Sequence, residues 1–209
     1  MLRGASATAA GANLIPFPVG ISVGSLGAGL IMNRTGRYYR LGLGAMFTFN
    51  LGTSLFCTFT LHTPSWPQVL YLFFFGTGYG ASLTVGLLAL IAAVKHSEQA
   101  TTTSSSYLFR ATGGTIGAAV GSAAFQTSLR SQLLGKLGDG EEAKEVIRRV
   151  LNDFAEVAKL PQQWRGDVTE AYMHALRMVF IIGFALGSLG LLTTAAMREN
   201  KLHKTLNRK

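Results

Sequence analysis

The chain has 209 residues, of which 48% are hydrophobic and only 14% charged, well under the roughly 25% charge of a water-soluble domain. Its net charge of +9 would suit nucleic acid, but the basic residues are not interleaved with base-stacking aromatics and no nucleic-acid-binding motif is present, which excludes that partner. Cys57, the only cysteine, lies in an apolar run, so a disulfide framework and a thiolate metal site are excluded as well.

The start, "MLRGASATAAGAN", lacks the apolar core of a secretory signal. Beyond it, five stretches are long enough to span a hydrocarbon core, which takes about 20 residues. They run over 13–32, 41–61, 68–94, 107–128 and 178–197. Each is apolar all round, without the polar stripe that a surface helix of a soluble protein carries. Pro16 and Pro18 make the first span a candidate bent or broken helix. Residues 33–40 and 62–67 are tight loops, the second with Pro64, Pro67 and the interfacial aromatic Trp66. Residues 95–106, "KHSEQATTTSSS", read as a polar link.

The one long polar segment is 129–177. Within it, Asp139 with Glu142 fits a capping box, and Ala143, Ile147, Val150, Leu151, Phe154, Val157 and Ala158 recur at helical spacing. That predicts an amphipathic helix ended by Pro161. A second box, Asp167 with Glu170, opens the helix that runs into the last span. The expected fold is an all-α membrane protein. It has four transmembrane helices in 1–128, a lumenal or extracellular helical linker over 129–177, a fifth transmembrane helix at 178–197 and a basic tail over 198–209.

Charge sets the orientation. Lysine and arginine number three in 33–40, two in 95–110 and five in 198–209, but none in 62–67. In 130–177 eight basic residues are matched by eight acidic ones. By the positive-inside rule the basic loop, link and tail are cytoplasmic, and the N-terminus and the 129–177 segment are not. Arg177 alone falls on the wrong edge. The only glycosylation sequon, Asn33-Arg34-Thr35, would face the cytoplasm and escape modification.

Helices in lipid approach closely through small residues. Four spans carry a glycine pair or triplet at four-residue spacing: Gly20 and Gly24; Gly76 and Gly80; Gly113, Gly117 and Gly121; Gly183 and Gly187. No Asp or Glu lies inside a span, and His62, His96, His174 and His203 sit in or beside loops. An embedded proton carrier is therefore lacking, because Arg110 does not release a proton at physiological pH and snorkels to the cytoplasmic surface. Polar residues at mid-depth are the candidates for a substrate path: Asn50, Tyr79, Thr84, Thr115 and Gln126. Each could instead hydrogen-bond a neighbouring helix, at about 0.6 kcal/mol. No nucleophile, phosphate loop, cofactor motif or metal cluster speaks for an enzyme.

Gly29, Asn33, Arg34, Gly36 and Arg37 follow the cytoplasmic loop signature of the major facilitator superfamily, with Asn33 in place of the usual acid. Glycine there lets helices approach and turn, and the arginines meet helix C-terminal carbonyls and lipid phosphates. "LIPFPVGISVGSLGAGLIMNRTGRYYR" and "SEQATTTSSSYLFRATGGTIGAAVGSAAFQTSLRSQL" resemble the C-terminal half of fungal fourteen-span drug:proton antiporters, and within them members handling basic amino acids at the vacuole. The resemblance covers essentially the whole chain and implies a partial C-terminal half of that fold, in a vacuolar or plasma membrane. It further implies a small-molecule substrate, drug-like or a basic amino acid, moved only when an N-terminal half completes the cavity. A reading from a different class is a non-transporting membrane anchor that presents 129–177 to a partner. The cysteine-bearing outside loops of tetraspan adhesion proteins are absent, which counts against it.

Overall fold

The computed structural model describes residues 11–58, 65–137, 140–152 and 162–197. Among them run six α-helices: α1 (Pro16–Thr35), α2 (Tyr39–Cys57), α3 (Ser65–Ala93), α4 (Gln99–Leu137), α5 (Glu141–Asn152) and α6 (Gln162–Ala195). A single 3₁₀ turn, His96–Glu98, joins α3 to α4, and no strand occurs among the described residues.

The two early prolines do not bend α1. Pro16 is its first residue, so both prolines fall in the first turn, where a helix has no carbonyl for their missing N–H groups to meet. The other end of α1 is set by Gly36. Its φ of 65° is the one left-handed backbone conformation among the described residues, and its N–H returns to the Met32 carbonyl at 2.8 Å. That lets the chain reverse into α2 after three residues and buries Tyr38 beside Met32.

The link after α3 is shorter than its composition suggests. Residues 99–106 are helical despite six consecutive serines and threonines, because α4 runs unbroken for 39 residues. At about 1.5 Å per residue it is roughly 58 Å long, nearly twice the hydrocarbon thickness. The Asp167 and Glu170 capping box is also overturned. α6 begins five residues earlier, at Gln162, and both carboxylates pair with Lys136 of α4 instead. Asp139 and residues 153–161, which hold the other expected helix boundaries, lie outside the described residues.

Packing sets the lateral order α1, α3, α2, α6, α4. α3 lies between α1 and α2, and α2 lies between α3 and α6. α4 touches α6, and touches α3 only lightly. Apolar side chains cover the outside: Val19, Val23, Leu26 and Leu30 on α1, Phe47 and Leu51 on α2, and Ile181, Leu186, Leu189 and Leu192 on α6 are all exposed. Such a surface calls for lipid. By length and composition, three described helical stretches can cross a membrane, Pro16–Thr35, Trp66–Ala93 and Trp164–Ala195. α2 and α4, the expected second and fourth spans, are diluted by Gly, Ser, Thr, Arg and Asn and are not among the three.

Two buried clusters hold the ends. Near the Gly36 turn, Ala28, Met32, Tyr38, Ala45, Ala81, Val85 and Ala89 join α1, α2 and α3. At the opposite end, α5 lays Ile147 and Val150 onto Leu129 and Leu133 of α4 and onto Val168, Ala171, Tyr172 and Ala175 of α6. The Tyr172 hydroxyl donates to the Val150 carbonyl at 2.6 Å. The amphipathic stripe of α5 is thus covered by protein, with Glu145, Arg148 and Arg149 on its outer face.

Candidate functional site

The seam between α1 and α3 is built from glycine. Gly20, Gly24, Ala28 and Met32 form one buried row at four-residue spacing along α1. A methyl group placed on Gly20 would land 2.5 Å from the Phe73 carbonyl oxygen. On Gly24, Gly76 and Gly80 it would collide with the carbonyls of Thr77, Phe17 and Ile21. Gly52 and Gly78 do the same for α2 against α3, meeting the backbones of Phe75 and Phe49. Gly29 is one step off this row, about 100° around the helix, and has nothing near it. Within the loop signature the turn therefore belongs to Gly36. Asn33, Arg34 and Arg37 are exposed around it.

Backbones this close drive the aromatic side chains to one end of the seam. Phe75 stacks on Phe17 at 5.5 Å between ring centres and tilts against Phe49 at 4.9 Å. Phe56 meets Phe75 edge-on at 6.0 Å and lies flat on Phe180 of α6 at 4.9 Å. The rings of Phe17, Phe56, Phe75 and Phe180 wall a cleft of about 430 Å³, within the range of small-molecule sites. Its lining is apolar except for Gln68 and Arg177. No cluster of metal-ligating side chains occurs among the described residues.

The five expected path residues do not converge. Tyr79 joins the aromatic group, 6.4 Å from the rings of both Phe17 and Phe49. Thr84 shares a 2.7 Å hydrogen bond with Ser25 across the α1–α3 seam and reaches its own Gly80 carbonyl. Asn50 is buried against α6. Its amide donates to the carbonyls of Met46 and Gly187, and its Oδ1 accepts from the Ser188 hydroxyl. With those groups engaged, Asn50 ties two helices together. Gly187 makes room for it, since a Cβ there would sit 2.9 Å from Asn50 Oδ1. Thr115 and Gln126 are exposed on α4 and bond only within that helix, to Ala111 and Ser122. Gly183 and Gly121 reach ordinary contact at 3.7 Å, whereas Gly113 and Gly117 face open space. Arg110 lies over the Tyr107 ring at 5.2 Å, in the third and fourth turns of α4.

Sequence reasoning missed the cleft, whose rings come from four helices. One signal was available: Tyr71, Phe75 and Tyr79 recur at four-residue spacing and so share a face of α3. It also missed the Tyr39 hydroxyl, which donates to the Ala195 carbonyl at 2.9 Å and joins the start of α2 to the end of α6.

No protein-family model matches the chain, and no solved structure does. Curated proteins do match. A multidrug resistance protein of Schizosaccharomyces pombe is 31% identical over 202 residues, which is 95% of this chain and 38% of that protein. A vacuolar membrane amino acid uptake transporter of the same yeast is 28% identical over 86% of this chain and 31% of its own length. A rubrofusarin-specific efflux pump of Gibberella zeae is 26% identical over 91% of the chain and 34% of its own length. The chain thus spans about a third of the length of these relatives, in their C-terminal portions. This relationship along 95% of the sequence, together with relatives named as transporters of the major facilitator superfamily, one of them 30% identical over 98% of the chain, places the chain in that superfamily, where it corresponds to a C-terminal portion of the transporter.

Proposed function

We propose that this chain forms the C-terminal part of a secondary transporter that moves a small organic molecule, drug-like or a basic amino acid, across a vacuolar or plasma membrane. The observation that carries this reading is the match over 95% of the chain to only 38% of a multidrug resistance protein. In this reading all five long helices span. The Gly36 turn and the 198–209 tail are cytoplasmic, and α5 with the outer ends of α4 and α6 stands on the other side. The bare α4 face around Gly113 and Gly117 meets the N-terminal half. Coupling to protons comes from that half, because the expected spans here contain no carboxylate. No enzymatic role is needed.

The test is a chimera in which this chain replaces the corresponding portion of the Schizosaccharomyces pombe multidrug resistance protein. Retained, gradient-dependent export of that protein's drugs supports the reading. A chimera that inserts and folds but exports nothing overturns it. The chain alone in vesicles should show no gradient-dependent accumulation of labelled lysine, arginine or histidine.

A further inference from the structure

Arg177 is the basic residue that the positive-inside rule disfavours, and the structure gives it a place. It lines the aromatic cleft with Gln68, three residues into α3, and with Leu14, two residues before α1. Trp66 is 68% exposed two residues before Gln68, as a side chain at headgroup depth would be. The same cleft is walled by the rings of Phe17, Phe56, Phe75 and Phe180. Leu14 and Leu176 also line the cleft and are 59% and 37% exposed, so its rim is continuous with the oily exterior. A ligand entering there comes from the bilayer rather than from water.

We propose that this cleft is a binding site for one anionic phospholipid of the non-cytoplasmic leaflet, its phosphate held by Arg177 and Gln68 and one acyl chain lying along the phenylalanine rings. A guanidinium suits this role because its planar fork meets two phosphate oxygens at once, and the interaction strengthens where water is scarce. A zwitterionic lipid brings its own cation to the guanidinium and gains less. The proposal rests on the membrane orientation given above and not on transport, so it stands or falls separately from the chimera.

The experiment reconstitutes the full chain into nanodiscs of phosphatidylcholine with a minor fraction of phosphatidylserine, releases it gently and counts retained lipids by native mass spectrometry. One phosphatidylserine per chain is expected, enriched roughly tenfold over its share of the bilayer. Arg177→Gln abolishes the enrichment, Arg177→Lys keeps part of it, and Arg130→Gln, on the exposed face of α4 away from the cleft, leaves it unchanged. Retention of phosphatidylcholine in proportion to its abundance, or no retained lipid, overturns the proposal. The wild-type comparison decides even where Arg177→Gln does not fold. Equal enrichment in folded Arg177→Gln also overturns it.

Discussion

The α1–α3 seam and the inner part of α4 carry the same glycine spacing, and the structure treats them oppositely. At the seam, every paired glycine presses against the backbone of the opposite helix. On α4, Gly113 and Gly117 meet nothing, and residues 111–120 are exposed around the full turn. Spacing at four residues states that a helix is able to be approached. Whether it is approached depends on a second surface elsewhere in the sequence. For α1 that surface is α3, about fifty residues on. For the inner part of α4 no described helix supplies it.

The largest predicted effect separates the two directly. Gly24→Leu forces a side chain into the Thr77 backbone, and overpacking against a main chain that cannot yield should cost at least about 3 kcal/mol. The variant should lose its monodisperse peak in detergent, while Gly117→Leu should keep it. Equal losses from both would erase the distinction between the regions.

A smaller effect is expected from polar side chains. Asn50→Ala removes a buried tie between α2 and α6 and should lower stability by about 1 kcal/mol, whereas Thr115→Ala on the open part of α4 should be neutral. Unfolding in a denaturing detergent series reads both. A neutral Asn50→Ala would show that its hydrogen bonds are replaced as easily as those of Thr115.

How far these regions were legible in the sequence depends on the range of each interaction. The helices themselves were, because apolar runs are local. The turn at Gly36 was, because only glycine takes that φ without strain. The carboxylates of Asp167 and Glu170 were misread, because the lysine that claims them is thirty-one and thirty-four positions away. Residues 99–106 were misread as a link, because the weak helix propensity of serine and threonine is overridden when the residues after them continue the helix. Of the cleft only the α3 face with Tyr71, Phe75 and Tyr79 left a local signal, since no local pattern brings Phe17, Phe56, Phe75 and Phe180 to one place. Asn50 was seen as polar and central, but its partner on α6 lies 137 positions away.

The smallest effect concerns the outer cluster that holds the one packed end of α4. Hydrogen bonds from Arg148 and then Arg149 hold the Glu145 carboxyl below its ordinary range. A depressed carboxyl contributes stability that is complete above its unfolded value and disappears as pH falls through its folded one. Acidification below the ordinary carboxylate range should therefore loosen α5 slightly and leave the glycine seam untouched. Hydrogen exchange at residues 145–152 across that range checks it, with Glu145→Gln abolishing the change. A seam that responds in step would mean the outer cluster and the seam unfold as one unit.

The uninterrupted length of α4 has a mechanical consequence. One end is clamped by Leu129, Leu133 and Lys136, and the exposed run 111–120 ends at Gly121, where Val179 approaches. From there to Gln99 extends an arm of about 33 Å with no proline to hinge it. A stiff rod pivoting at one end moves most at the other. A tilt of about 10° at the clamp carries the Gln99 end roughly 6 Å. Whatever seats against Gly113 and Gly117 thus works a lever whose fulcrum stands at the α5 end of the helix.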